Sequence, residues 1–281
     1  MKNIYLFLFT AILFVSCKND PKETTEGENA NEPAAVEETS TQVEKTPARQ
    51  LAESITTTHH QEDFFKNEAV AFDLTVRFGG QERLKGRVTM LTNSTKIKIE
   101  KQDSTTLVYN GSDVFLYPKE KNYRGARFDI FTWPYFFAMP FKLTDEGAKW
   151  QDKQERNLGE IDSTAYNSAK LTFEGNIGDA PDDWYVIYAS KQTNLLKAAA
   201  YIVTFGNDVE TAEQNPHAIV YNQYFTVKDV PVAKYWNFYN WSEEKGVYGE
   251  PIGDTEISNL KYLSASEVSF EVPEDAVEVK K

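Results

Sequence analysis

From residue 70 onward the chain alternates between apolar and polar positions. Val70, Phe72, Leu74, Val76 and Phe78 are separated by Ala71, Asp73, Thr75 and Arg77, the period-two pattern of a half-buried strand. Gly79-Gly80 predicts a turn, and residues 81–91 return with Leu84, Val88 and Met90 among polar neighbours. After a turn at Asn93-Ser94, Ile97 and Ile99 mark a further short strand. Leu107 and Tyr109 lead into Asn110-Gly111, a tight-hairpin signal, and residues 114–117 form the return strand, stopped by Pro118. Residues 123–128 predict one more strand. The pattern resumes over residues 165–173, 184–190, 196–205, 218–226, 235–241 and 256–262, and it closes with Val268, Phe270 and Val272. The polar stretch after Leu143 reads as a connection with Trp150 as an anchor, and residues 246–253 read as a loop. Ala198 and Ala200 are expected on the inner face of their strand, leaving room for something bulky opposite. The prediction is a mainly β fold, a meander of antiparallel strands that curls into a concave sheet or incomplete barrel.

Residues 128–143, FDIFTWPYFFAMPFKL, interrupt this meander. They carry Phe128, Phe131, Trp133, Tyr135, Phe136, Phe137, Met139 and Phe141, broken by Pro134 and Pro140. Two prolines argue against a regular helix and against a central strand, so an irregular lid or a set of short helical turns is expected. Such a segment either covers the concavity and meets a ligand there, through Trp133, Tyr135, Phe136, Phe137, Met139 and Phe141, or plugs it as core.

Ahead of the meander, Thr46-Pro47 is a helix start, a capping residue followed by proline in the first turn. Leu51 and Ile55 share one face, and the helix should end near Thr58, before His59-His60. These two histidines and His217 are the only ones present. Adjacent histidines at a helix end can hold a metal, but no acid-plus-histidine motif surrounds them.

The amino-terminal end has a different composition. Lys2 is followed by an apolar run, residues 4–15, interrupted only by Thr10 and too short to span a bilayer, so residues 1–17 read as an export signal. The run ends at Phe14-Val15-Ser16-Cys17, which resembles the bacterial lipobox, with Phe14 and Val15 standing where Leu and a small residue are usual. The resemblance implies diacylglycerol on the sulfur of Cys17. This cysteine is the only one in the chain, which leaves no partner for an internal disulfide and no cysteine-based zinc site. A lipid anchor would hold the protein at a membrane without a spanning helix, each buried acyl CH₂ contributing about 0.8 kcal/mol. Residues 18–45 contain no aromatic residue and carry eight acids against three lysines. Such a segment cannot bury enough apolar area to offset its chain entropy, and it reads as an acidic, solvated tether. Residues 46–281 are then a single β domain.

The net charge of −13 at pH 7 repels phosphate backbones and argues against a nucleic-acid partner. No G-x-S-x-G elbow, G-x-G-x-x-G or phosphate-binding loop is present, and no histidine lies in a catalytic motif. Asp182-Asp183, after Pro181, reads as a turn, and Asp179, Asp182 and Asp183 lack the ligand spacing of a calcium loop. No cofactor and no catalytic residue is expected.

The order of features also carries a resemblance. Val108-Tyr109-Asn110-Gly111 followed by residues 114–118, and a closing Phe270-x-Val272-Pro273 with Ala276-Val277, resemble the lipoprotein-sorting carrier superfamily, which includes the Lol carriers and receptors and uncharacterised envelope lipoproteins. That resemblance implies a LolA-like incomplete antiparallel barrel with an N-terminal helix, a lid across its mouth and a cavity that takes acyl chains. No arginine can be matched to the one that regulates the carriers' lid. The expected function is a membrane-anchored envelope lipoprotein, at the outer membrane, that binds a lipid, acyl or other apolar ligand without catalysis. The alternatives are a structural or interaction lipoprotein with a filled barrel and, less favoured, a glycan-active enzyme.

Overall fold

The computed structural model describes residues 45–175 and 177–281. The export signal, Cys17 and all of the tether except Lys45 lie outside the described residues. Helix α1 (Pro47–Thr58) and the short α2 (Gln61–Lys66) come first. Strands β1 (Ala69–Phe78), β2 (Gln81–Leu91), β3 (Ile97–Lys101), β4 (Thr106–Tyr109) and β5 (Val114–Tyr117) form a first meander. Helix α3 (Ala126–Lys142) carries the chain to a second, composed of β6 (Ala148–Arg156), β7 (Tyr166–Phe173), β8 (Tyr185–Ser190), β9 (Leu196–Tyr201), β10 (His217–Val227), β11 (Val230–Ser242) and β12 (Gly246–Leu263). The one-turn α4 (Val209–Glu213) precedes β10, and β13 (Val277–Glu278) ends the chain.

Among the described residues the thirteen strands form one antiparallel sheet in the order β13-β5-β4-β3-β2-β1-β12-β11-β10-β9-β8-β7-β6. The two meanders are joined where β1 pairs with β12, and the outer strands β13 and β6 do not pair with each other. The sheet is therefore curved and open, a half-barrel. Helix α3 lies inside the curve: residues as far apart in the sheet as Leu116 on β5 and Leu171 on β7 join its side chains in one continuous core. No described helix is long and apolar enough to cross a membrane.

The leading helix forms as its sequence predicts. The Thr46 hydroxyl accepts from the Arg49 amide at 3.3 Å, Pro47 occupies the first turn, and Leu51 and Ile55 are buried. On β1, Val70, Phe72, Leu74 and Val76 face the core, as the alternation requires.

The aromatic segment is a correction. Residues 126–142 are one continuous helix that contains both Pro134 and Pro140, not an irregular lid, and residues 123–128 are not a strand. Burial decides the balance. An interior proline costs about 3 kcal/mol, whereas burying a Phe or Met side chain contributes about 1.5–3 kcal/mol. Trp133, Phe136, Phe137, Met139 and Phe141 are all buried, so the apolar gain outweighs two prolines. Near the start of this helix the Asp129 carboxylate, 1% exposed, accepts from Arg83 at 2.8 Å, from the Tyr123 hydroxyl at 2.6 Å and from Trp133 Nε1 at 2.8 Å.

Four strand expectations also change. Residues 148–156 form β6, an edge strand that is polar and exposed throughout residues 151–155, so that stretch lacks the alternation that marks a strand. Residues 246–253 belong to β12 rather than to a loop. Residues 268–272 are not a strand; the last strand is β13, paired with β5. Ala198 and Ala200 point away from the concavity, into a second apolar cluster with Tyr188, Trp241 and Val247, while Ala199 and Tyr201 face inward. Both faces of β9 are apolar, so periodicity alone could not tell inside from outside.

Candidate functional site

The concave side is not completely filled. A cavity of about 520 Å³ lies beside α3. Phe128, Phe131, Thr132, Tyr135 and Phe136 line it, and their spacing is that of a single face of a helix. Each ring of this stripe meets another across the cavity wall. Phe128 lies 5.7 Å from Phe205, Phe131 lies 5.0 Å from Tyr109, Tyr135 lies 5.6 Å from Tyr185 and Phe136 lies 5.0 Å from Tyr201, centroid to centroid. Ala148 on β6, Phe173 on β7 and Ile97 on β3 complete the apolar walls.

The other faces of α3 are packed. Phe137 stacks on Phe72 at 4.2 Å, and Phe141 stacks on Phe64 of α2 at 3.9 Å. These two rings border only a hollow of about 10 Å³, too small for more than a water. Of the six residues expected to meet a ligand, Tyr135 and Phe136 line the cavity. Trp133 and Met139 are buried in the core, and Phe137 and Phe141 pack against sheet and helix. Sequence reasoning missed Phe128, Phe131 and Thr132 as lining residues. The signal was present in their helical spacing with Tyr135 and Phe136, but two prolines hid it.

The two basic groups among the described lining residues are paired. Arg127 on α3 grips Asp179 through two nitrogens, at 2.9 Å and 2.7 Å, and also donates to the Val279 carbonyl at 3.2 Å. Residues 177–180, which border the cavity, are thereby tied to α3 and to the C-terminal segment. Lys142 pairs with Asp145 at 2.7 Å.

Three tyrosines give one wall a polar edge. The hydroxyls of Tyr221 and Tyr224 donate to the carbonyls of Phe136 and Leu196. Those of Tyr135, Tyr185 and Tyr201, all lining the cavity, have no hydrogen-bond partner among the described residues. Burial pushes the pKa of all three up, and the nearby Asp183 carboxylate adds to it. Asp183 accepts from the Thr204 amide at 2.8 Å and from its hydroxyl at 2.7 Å. Burial raises its own pKa, and the Thr204 bonds oppose that.

The opposite face of the sheet carries a second hollow, of about 620 Å³, where polar groups satisfy one another. Arg156 pairs with Glu243 at 2.6 Å, Trp184 Nε1 donates to Glu213 at 3.0 Å, and the Lys170 ammonium sits 4.9 Å from the Trp184 ring. No group of three or more metal-ligating side chains exists among the described residues. His59 is structural: its Nε2 accepts from the Leu196 amide at 3.0 Å, and its ring lies edge-on to Phe141 and Tyr224.

No protein-family model and no curated protein matches the sequence. Among solved structures the chain is similar to a LolA superfamily protein from Nitrosomonas europaea, with a TM-score of 0.49 and 10% identity over 81% of this chain and 99% of that one. It is likewise similar to a DUF1329 family protein from Desulfovibrio piger, with a TM-score of 0.48 and 12% identity over 78% and 94% of the two chains. The half-barrel itself is established by the strand pairing.

Proposed function

We propose that this chain is a non-catalytic, membrane-anchored envelope protein whose half-barrel cavity holds a lipid, acyl or other apolar ligand. The observation that carries this reading is the unfilled space beside α3, about 520 Å³ walled by paired aromatic rings. That volume falls within the range of small-molecule sites, and an acyl chain entering it gains about 25 cal/mol for each Å² of apolar surface withdrawn from water. Cys17 supplies the anchor and residues 18–45 the spacer that lifts the domain from the bilayer. The Arg127–Asp179 pair, which holds residues 177–180 against α3, controls access.

A structural or interaction role is the second reading, favoured by the dense packing of Phe137, Met139 and Phe141 over the rest of the concavity. Native mass spectrometry and lipid extraction of the purified full chain separate the two, together with titration of a fluorescent acyl probe. Co-purified lipid or saturable probe binding is expected. An empty protein that binds no probe leaves the structural role.

A further inference from the structure

We infer that the cavity selects amphiphiles whose polar end is a hydrogen-bond donor without negative charge, and that it rejects the same chains when they end in a carboxylate or phosphate. This rests on the binding function proposed above and names its ligand class.

Among the described residues the lining has no cation to spare. Its two basic residues, Arg127 and Lys142, are committed to Asp179 and Asp145. The same wall also carries Glu146 and Asp183, so carboxylates outnumber cations. An anionic headgroup drawn into this space would lose its hydration and meet like charge, a combination that partly buried sites penalise strongly.

A donor finds partners already in place. The Asp183 Oδ1 is occupied by Thr204, and Oδ2 has no partner among the described residues. The Tyr135 and Tyr185 rings lie 5.6 Å apart and those of Tyr185 and Tyr201 6.3 Å apart, which gathers three unpartnered hydroxyls near this carboxylate. A phenol both donates and accepts. An amide or amine head can therefore donate to Asp183 and the tyrosine oxygens while accepting from a tyrosine O–H, and its chain runs along the stripe from Phe136 to Phe128.

The experiment is displacement of the neutral probe N-phenyl-1-naphthylamine from the full chain by dodecanamide, dodecylamine and dodecanoate at neutral pH. We expect the amide and the amine to bind about tenfold or more tighter than the carboxylate, each tenfold being about 1.4 kcal/mol. The preference should persist in about 0.5 M salt, which screens the chain's overall negative charge but not a pair inside the cavity. In Asp183→Asn, which keeps the Thr204 contacts through its amide oxygen, the gap should narrow to about threefold or less, near 0.6 kcal/mol on the same scale. Tyr201→Phe should weaken the amide without helping the carboxylate. Equal binding of dodecanoate and dodecanamide, or a preference that vanishes in salt, overturns the inference while binding itself stands. A preference unchanged in folded Asp183→Asn overturns the assignment to this carboxylate. Failure of the probe and all three compounds to bind overturns the proposed function.

Discussion

The hydroxyl of Tyr221 on β10 donates to the main-chain carbonyl of Phe136 at 2.9 Å, the carbonyl that Pro140, four residues later, deprives of its helical partner. A buried carbonyl without a donor costs about 1–3 kcal/mol. A strand of the second meander thus completes the hydrogen bonding of the helix that fills the half-barrel. Tyr221→Phe should destabilise the protein by about 1–3 kcal/mol. In a Pro140→Ala background, where residue 140 regains its own N–H, the same substitution should cost less. Urea unfolding of the four chains gives the coupling directly; additive effects would show that the hydroxyl does not substitute for the missing amide.

Asp129 gathers Arg83, Tyr123 and Trp133 at the start of the same helix. Removing the carboxylate leaves the buried Trp133 Nε1 without an acceptor, while Arg83, 38% exposed, stays hydrated. Asp129→Ala should cost about 1–3 kcal/mol, read as a lowered denaturant midpoint. A loss below about 1 kcal/mol, the scale of an exposed pair, would show that the network contributes little.

His59 makes stability depend on pH. Burial holds its pKa down at about 4, with the Pro231 carbonyl pulling slightly upward, against 6.5 for an exposed histidine. Above pH 6.5 both folded and unfolded chains are neutral here and the stability is whole. As pH falls from 6.5 towards 4, the unfolded chain takes up a proton that the folded chain refuses, so stability is lost, by about 3 kcal/mol over the window. His59→Gln can still accept from the Leu196 amide and should flatten this slope. Unfolding free energies of the two chains between pH 7.5 and 4 check it, and parallel curves would refute it.

The two flanks of α3 should respond differently. Phe137 is stacked on Phe72, so Phe137→Ala should cost about 3–5 kcal/mol with little change in probe affinity per folded molecule. Val203 lines the cavity. Val203→Trp fills empty space and should change stability by less than about 1.5 kcal/mol while weakening the probe about tenfold, or 1.4 kcal/mol. Thermal melts and probe titrations on both chains decide whether the open space is where the ligand sits.

The proposed anchoring makes Cys17 the acyl acceptor, which Cys17→Ser removes. The variant should leave the membrane fraction, because it lacks the proposed acyl chain and no described helix is long and apolar enough to cross a membrane. Fractionation of cells expressing the two chains tests this; a variant that stays with the membrane would place the anchor elsewhere.

Much of the architecture was legible from alternation. Val70 to Phe78 announced an inward and an outward face, Asn110-Gly111 announced a hairpin, and Thr46-Pro47 with Leu51 and Ile55 announced the first helix. These signals are local, since a strand with one buried face and a capped amphipathic helix each carry their pattern within a few residues. Where the pattern is missing or doubled, reading failed. The edge strand β6 has no apolar alternation over residues 151–155, and β9, apolar on both faces, gave no reason to place Ala199 rather than Ala198 inside.

By itself, then, the sequence determined a meander of antiparallel strands and the aromatic segment that interrupts it. Tertiary structure alone decided that the aromatic segment is a helix, because the apolar area buried against the sheet exceeds what two prolines cost and Tyr221, more than eighty residues away, supplies a bond that local sequence cannot. It also decided which rings pack and which line open space. That choice depends on the angle at which a helix meets strands distant in the chain, and no short stretch of residues encodes it.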